Sequence, residues 1–178
     1  SAFHVTSIIT TTGLSGRDFN LWPSFSKMIL FLLMIVGASA GSTGGGFKVS
    51  RLVVLVKSVK NEIQKVIHPR SIKKLHMDGR AFPEDLIRSI LVYTGIYVLL
   101  SFASILIVSL DNFSFETNVS AVMATLNNIG PGLDVVGPTG NFSAFSDVSK
   151  VVMIFDMLAG RLELIPILVL FSPQTWKK

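Results

Sequence analysis

Two short segments of the chain end in glycine turns whose backbone carbonyls could bind a cation. Ser1–Thr12 runs into TTTG (residues 10–13), and Phe115–Asn128 runs into NNIG (residues 127–130). Glycine permits backbone angles that direct successive carbonyls inward, and a ring of carbonyls can replace the hydration shell of an ion. Because this chemistry uses the backbone, the two turns need not share side chains. The pattern predicts an ion site of the potassium-filter type.

A third glycine-rich segment, GASAGSTGGGFKVSR (residues 37–51), has two interpretations. Gly41 and Gly46 have the separation of a phosphate-binding loop, but Phe47 stands where that motif requires lysine. The preceding segment is apolar and helical in character rather than a strand, so nucleotide binding is disfavoured. We expect instead an interruption within a membrane helix. Non-helical backbone at membrane depth is tolerated only where it is buried in protein or lines water.

Arg161 is a charged residue inside an apolar stretch, where insertion of arginine is costly. Its guanidinium carries five donors, and a glycine-rich break leaves carbonyls without helical partners. We therefore expect Arg161 to donate to carbonyls of residues 37–46 and hold that segment in place. Two alternatives remain open. The side chain extends to the cytoplasmic surface, or it pairs with Glu163 or Asp156.

The composition places these features in a membrane. Of 178 residues, 49% are hydrophobic and 15% are charged, with a mean hydropathy of +0.59, whereas ordinary soluble domains carry about 25% charged residues. Ten of the sixteen Lys and Arg residues lie between Lys48 and Arg88, while residues 111–147 contain four acids and no Lys or Arg. Basic loops stay cytoplasmic. We expect residues 48–85 and the C-terminus inside, and residues 111–147 outside.

Apolar stretches predict the helices. A membrane helix needs about 20 residues, a length that Leu86–Leu110 and Val148–Phe171 both reach. Met28–Val36 is too short to span alone and does so only if the chain continues through the glycine segment into Leu52. The two segments that end in glycine turns are also too short, and they resemble re-entrant half-helices. The predicted class is an all-α, multi-pass membrane protein.

The second half of the chain repeats the first. Ser26–Phe31 aligns with Ser149–Ile154 at a separation of 123 residues, which also pairs Gly37 with Gly160. The two glycine turns match if the second outer loop is six residues longer. One such turn is typical of an ordinary loop, but two at matched positions of a repeat favour a filter. We expect the outer helix of the first copy to precede Ser1.

Three units follow from this repeat. Residues 1–67 form the end of one repeat, with a pore half-helix, a filter turn and a broken inner helix. Residues 68–85 form a basic cytoplasmic loop. Residues 86–178 form the next repeat, with an outer helix (M1), a pore half-helix (P), a filter turn and an inner helix (M2).

Other kinds of site are disfavoured. The chain contains no cysteine, and His4, His68 and His76 lack metal-ligand spacing. No Ser-His-Asp arrangement can be constructed from these histidines. With a backbone-carbonyl ion site as the predicted function, we expect a protein that is not an enzyme and has no organic cofactor.

Four stretches resemble the TrkH/TrkG family of potassium-transporter subunits. GASAGSTGGGFKVSRLVVLVK and IHPRSIKKLHMDGR are similar to the third repeat of that family, and NNIGPGLDVVGPTGNFS and MLAGRLEL to its fourth. The similarity covers nearly the whole chain. The related KtrB proteins share GSTGGG, but the basic HPR loop favours TrkH.

The resemblance implies a pore of four M1-P-M2 repeats in a prokaryotic plasma membrane. It implies potassium as the bound ion. The N-terminal half of the same subunit would complete the pore, and two subunits would form a homodimer. The other implied partners are membrane lipid and a cytoplasmic, nucleotide-binding regulatory subunit of the TrkA type; nucleic acid is not among them.

The resemblance also assigns residues. The filter residues would be Thr11, Thr12, Gly13, Asn128, Ile129 and Gly130, with potassium held by their carbonyls. The gate residues would be Gly41, Ser42, Thr43, Gly44, Gly45 and Gly46, together with Arg161 touching this loop. Asp156, an acid in the same helix as Arg161, is not explained by this assignment and could partly neutralise the arginine.

Two other functions stay open. A secondary cation transporter with discontinuous helices would bind its substrate at the midplane, but it predicts inverted repeats, whereas the two copies here run in the same direction. A membrane anchor for a cytoplasmic regulator would explain the basic loop but not the two glycine turns. We therefore expect potassium uptake through a carbonyl filter gated by the glycine segment.

Overall fold

The structure is a computed structural model that describes residues 2–37, 39, 41, 42, 44–68, 76, 77 and 80–162. The helices in this part of the chain are α1 (Ala2–Ile9), α2 (Ser24–Ile35), α3 (Val49–Ile67), α4 (Glu84–Val108), α5 (Phe115–Leu126) and α6 (Asp147–Leu162). Single 3-10 turns lie at Phe19–Leu21, Ser109–Asp111 and Asp134–Val136. Two-residue strands lie at β1 (Val36–Gly37), β2 (Phe47–Lys48), β3 (His76–Met77) and β4 (Arg80–Ala81), where β1 pairs parallel with β2 and β3 antiparallel with β4.

The helix α4 matches the predicted span at Leu86–Leu110. Pro83 precedes it, and Glu84 and Asp85 in its first turn favour the helix N-terminus electrostatically. At about 1.5 Å per residue it exceeds the roughly 30 Å of a bilayer core. Of the helices described, this one, extended through its 3-10 end to Asp111, is long and apolar enough to cross a membrane; α2 is apolar but shorter.

The helix α5 is the buried centre of the fold. Ser114 caps its N-terminus by accepting from the backbone N–H of Thr117 at 3.2 Å. Ala121, Val122 and Ala124 have no exposed surface, because α2, α4 and α6 all contact this helix. The sequence predicted that the segment would stay helical to Asn128, whereas α5 ends at Leu126 and the next residues form the turn.

The helices α2 and α6 begin at equivalent positions. The first starts at Ser24, directly after Pro23, and the second at Asp147, where Ser146 Oγ accepts from the N–H of Ser149 at 3.3 Å. Their starts are 123 residues apart, the separation that the sequence repeat predicts. The sequence placed the start of α2 at Met28, four residues too late. The first turn of the helix is polar, so the apolar run does not include it. The predicted continuation of α6 to residue 171 lies outside the described residues.

The glycine segment folds back on itself between α2 and α3. Val36 pairs with Phe47, and Gly37 with Lys48, in a parallel register. A Cβ atom on Gly37 would lie 2.5 Å from the carbonyl oxygen of Gly45, so glycine is required for this approach. The sequence predicted a broken helix here but not the ladder that joins its two ends. We refer to residues 37–46 as the glycine loop.

Polar contacts join the loop that follows α1 to the loop that follows α5. Asn20 Nδ2 donates to the carbonyl of Asp134 at 3.0 Å, and the N–H of Asp134 donates to Asn20 Oδ1 at 2.9 Å. The carboxylate of Asp134 accepts from Ser114 Oγ at 2.6 Å and from Thr117 Oγ1 at 2.7 Å. These two hydroxyls lower the pKa of Asp134 below its usual value. The first loop is thereby tied to the N-terminus of α5.

Replacement of Asp134 by Asn tests this contact. Asn also tolerates the left-handed φ of 57° found here, so the substitution removes mainly the charge. Because folding lowers the pKa of Asp134, the carboxylate stabilises the fold above its unfolded pKa, and this contribution is lost as pH falls through the folded-state pKa. We expect Asp134→Asn to lower the thermal unfolding temperature of the detergent-solubilised protein at neutral pH, with a difference from the unsubstituted protein that narrows as the pH falls below 3.8, the ordinary pKa of aspartate. A difference that stays constant on acidification would contradict this.

Candidate ion-binding site

The two glycine turns have positive φ angles at the same two positions. Thr11 and Asn128 both have a φ of 54°, and Gly13 and Gly130 have φ values of 73° and 108°. The residue between them has a negative φ in each turn. A left-handed φ is rare for a β-branched residue such as Thr11, so the surrounding fold must hold it there. Strained backbone of this kind clusters at functional sites.

The same hydrogen bonds close the two half-helices. In each turn the left-handed residue donates its N–H to the carbonyl three residues earlier at 3.0 Å, and the next N–H donates to the carbonyl five residues earlier at 2.9 Å. The donors are Thr11 and Thr12 in the first turn, and Asn128 and Ile129 in the second. This is the Schellman pattern, in which glycine usually takes the left-handed position. Two sequences that share only their last glycine therefore end their helices in the same way.

The two turns lie against each other. A Cβ atom on Gly13 would be 2.0 Å from the carbonyl oxygen of Ile129 and 3.1 Å from Cδ of Pro131. Both close approach and positive φ therefore require glycine at position 13. The C-terminal ends of α1 and α5, which carry partial negative charge, are brought to this point. Gly13 of the first predicted filter turn therefore lies directly against Ile129 of the second.

Two further glycines let neighbouring segments approach the end of α5. A Cβ atom on Gly160 would lie 1.7 Å from the carbonyl oxygen of Leu126, and one on Gly45 would lie 2.3 Å from that of Asn127. The side chain of Asn128 adds a polar contact, because its Nδ2 donates to the carbonyl of Met157 at 3.1 Å. The glycine loop and α6 therefore both pack against the C-terminal end of α5, where the second turn begins.

The glycine loop is compact in the part that the structure describes. The N–H of Ser42 donates to the carbonyl of Ser39 at 3.1 Å, and Ser42 Oγ accepts from the N–H of Gly44 at 3.1 Å. Gly41 and Gly46 have φ values of 85° and 86°, which side chains rarely allow. The predicted gate residue Thr43 lies outside the described residues. The other predicted gate residues of the loop, Gly41, Ser42, Gly44, Gly45 and Gly46, are described by the structure.

Phe47 anchors the end of the glycine loop. Its ring centroid lies 6.1 Å from that of Tyr93 and 5.7 Å from that of Tyr97, both on α4. These residues share a buried cluster with Leu126 of α5 and Ala159 of α6. The residue that excluded a phosphate loop in the sequence therefore has a packing role of its own.

Asn127 and Tyr97 are residues that the sequence interpretation missed. Asn127 is fully buried at the end of α5, and its Oδ1 accepts from the hydroxyl of Tyr97 at 3.0 Å. Tyrosine within an apolar helix is a weak signal, but burial of its ring generally requires a partner for its hydroxyl. The partner here is 30 residues away in sequence, and a local pattern could not identify it.

Arg161 and Asp156 lie in different surroundings on α6. Arg161 follows Gly160 in the last described turn and is exposed. Its contact with the glycine loop stays a prediction, and Glu163, one alternative partner, lies outside the described residues. Asp156 is fully buried, and its Oδ1 accepts from Ser104 Oγ of α4 at 2.8 Å. That partner was not predicted from the sequence.

Metal-ligand clusters were not expected from the sequence. Across the described ranges, no group of three or more His, Cys, Asp or Glu residues is placed to hold a metal ion. His4 is buried against the rings of Phe19 and Trp22, and its Nε2 lies 3.1 Å from the carbonyl of Arg17. His4 therefore supports the loop that follows the first turn.

Comparisons with known proteins place the chain among cation transport proteins. The sequence profile of the TrkH family, described as cation transport protein, matches residues 1–178. The chain is 37% identical over 176 residues to the Trk system potassium uptake protein TrkH of Escherichia coli K12, a match that covers 99% of this chain and 36% of that protein. It is 32% identical to TrkG of the same organism, covering 99% of this chain and 36% of that protein.

A solved structure agrees with these matches. The potassium transporter TrkH from Vibrio parahaemolyticus superposes with a TM-score of 0.86 at 34% identity, covering 98% of this chain and 37% of that one. The chain thus spans a little over a third of the length of the relatives it matches. Those relatives are named for potassium uptake.

Replacement of Gly13 by Ala tests the contact between the turns. The methyl group meets the carbonyl of Ile129, and a left-handed alanine costs a further 1–2 kcal/mol, roughly. We expect a lower unfolding temperature in detergent. Gly16→Ala is the matched control, because that glycine has open space around it and no positive φ. Equal unfolding temperatures for the two variants would contradict the contact.

Proposed function

The chain belongs to the TrkH family of cation transport proteins, and from this premise we propose that it forms part of a potassium-uptake pore rather than an enzyme. In this proposal the carbonyls of Thr11, Thr12, Gly13, Asn128, Ile129 and Gly130 line the ion path. Potassium passes in partly dehydrated form, since the carbonyls replace its hydration shell. The family relatives are named for potassium uptake, which supports this ion.

One observation carries the filter proposal. Two turns far apart in sequence share their positive φ positions and their closing hydrogen bonds, and they meet where Gly13 approaches Ile129. Alternation of positive and negative φ turns successive carbonyls towards the same side of the chain. A left-handed residue belongs to any Schellman closure, so the support comes from the meeting of two matched turns and not from either turn alone.

The remainder of a family-length polypeptide would complete the filter. This chain covers 36% of TrkH from Escherichia coli, so a closed ring of carbonyls requires more turns than the two described. We propose that these come from the N-terminal half of the same subunit. Two turns placed side by side would then form one arc of the ring.

The glycine loop is proposed as the gate. It presses on the second turn through Gly45 and is tied at its end by Phe47. A glycine segment can change its backbone angles at low steric cost, so it can withdraw without moving α2 or α3 as a whole. Arg161 is proposed to donate to carbonyls of this loop and hold it in place. In this proposal the loop blocks the ion path when it is in place, and its glycines allow it to move aside.

The proposed setting is a prokaryotic plasma membrane. The apolar α4 crosses it, residues 48–85 and the C-terminus lie in the cytoplasm, and residues 111–147 lie outside. Residues 1–67 and 86–178 would be successive M1-P-M2 units joined by the basic loop. A homodimer, membrane lipid and a TrkA-like nucleotide-binding subunit are the proposed partners.

A secondary transporter remains the alternative function. Such a protein would bind its cation at a helix break, through inverted repeats. The order of half-helix, turn and helix is instead the same in both copies, from α1 to α2 and from α5 to α6. This favours the pore.

Replacement of Gly130 by Ser tests the filter. Gly130 has open space around it, so the added side chain acts through its φ of 108°, which a serine rarely adopts. We expect the carbonyls to reorient and the ratio of potassium to sodium uptake to fall about tenfold, a change of about 1.4 kcal/mol in relative barrier.

The control for this test is Gly95→Ser in α4, which also has open space and no positive φ. Uptake of each ion is measured in proteoliposomes that contain the full polypeptide. A ratio that is unaltered in Gly130→Ser would refute the filter assignment.

Replacement of Arg161 by Ala tests the gate. If Arg161 holds the glycine loop, its loss should raise potassium flux, because the loop carbonyls lose their donors. Lys150→Ala is the control, since it removes a positive charge from the opposite end of α6, where Lys150 lies 3.6 Å from Asp147. Flux in Arg161→Ala equal to that of the control would exclude the proposed role.

A further inference from the structure

Asn127 is a buried amide at the junction of three segments. It has no exposed surface, and Tyr97 of α4 donates to its Oδ1 at 3.0 Å. The same hydroxyl lies 3.9 Å from Met123 Sδ, a weaker acceptor. The Nδ2 atom of Asn127 has no hydrogen-bond partner within the described part of the chain. An amide buried in this way depends on Tyr97 for its orientation.

The glycine loop packs against Asn127. A Cβ atom on Gly45 would be 2.3 Å from the carbonyl oxygen of Asn127, and one on Gly46 would be 3.3 Å from its Oδ1. Both the main chain and the side chain of Asn127 therefore contact the loop. The backbone of Asn127 leads directly into the second turn.

Tyr97 touches both sides of this junction. Its ring packs against Phe47, the residue that follows Gly46, at a centroid distance of 5.7 Å, while its hydroxyl bonds to Asn127. We propose that Tyr97 and Asn127 are positioning residues that couple the glycine loop to the second turn, with the hydrogen bond favouring the seated position of the loop. The role in transport rests on the function proposed above; the coupling itself does not.

The consequence of breaking the bond has a definite direction. Without the hydroxyl, neither polar atom of the Asn127 side chain would have a hydrogen-bond partner among the described residues, and the buried amide is then destabilised. The loop, which packs against Asn127 through Gly45 and Gly46, then loses the hydrogen bond that holds this residue in place. The turn would keep its own conformation, because its N–H groups bond to carbonyls within α5. Flux should rise while selectivity stays the same.

The experiment combines a transport assay with a direct measure of loop position. Tyr97→Phe is introduced into the full polypeptide, in a background without other cysteines, that carries Ser42→Cys in the loop. The rate of modification by a water-soluble thiol reagent reports displacement of the loop. Tyr93→Phe is the matched control, because Tyr93 also packs against Phe47, at 6.1 Å. Unfolding temperatures verify that each variant is folded.

We expect Tyr97→Phe to raise both the modification rate and potassium flux on the order of fivefold, with an unchanged ratio of potassium to sodium uptake. In an Asn127→Ala background, Tyr97→Phe should add nothing, since the acceptor is already absent. If Tyr97→Phe alone folds poorly, the comparison of Asn127→Ala with the double variant still tests the coupling.

The remaining outcomes distinguish the coupling through Tyr97 and Asn127 from the gate role proposed for the glycine loop. Faster modification with unchanged flux would support the coupling and overturn the gate. Unchanged modification in a folded variant would overturn the coupling, whatever the flux. Additive effects of Tyr97→Phe and Asn127→Ala would also overturn it, as would equal effects in Tyr93→Phe.

Discussion

The whole arrangement depends on close backbone approach to the C-terminal end of α5. Gly13, Gly45 and Gly160 come from the first turn, the glycine loop and α6, and each faces a different carbonyl oxygen within residues 126–129. A Cβ atom at any of the three would come within 2.3 Å of that oxygen, which real structures do not allow. Glycine at these positions provides space for contact, a separate role from conformational freedom. Three segments can therefore meet at one helix end.

The surroundings of α5 follow from this constraint. The helix is buried among α2, α4 and α6, so the position of its end is set by packing on several sides. Asn128 bonds to α6 and Asn127 bonds to α4, so the polar side chains of the turn reach outward to neighbouring helices. In the second turn the backbone carbonyls then remain as the polar groups that can bind an ion. A site built from carbonyls suits a cation with a weakly held hydration shell.

The sequence predicted α4 and the helical segment before each glycine turn, because apolar runs and glycine breaks are local signals. It placed the end of α5 two residues late, since periodicity does not show where a Schellman closure begins. The parallel ladder between β1 and β2 has no periodic signature at two residues per strand. The bonds of Tyr97 with Asn127 and of Ser104 with Asp156 join distant positions, and a single sequence does not reveal such pairs. The contact of Arg161 with the glycine loop stays a prediction.

We propose that the carbonyls of residues 11–13 and 128–130 hold the transported ion. The most direct test is anomalous diffraction from crystals of the full polypeptide grown with rubidium in place of potassium. We expect anomalous density between the two turns, at coordination distance from their carbonyl oxygens. Ordered ions bound elsewhere, for example at the buried carboxylate of Asp156, with none between the turns, would contradict it.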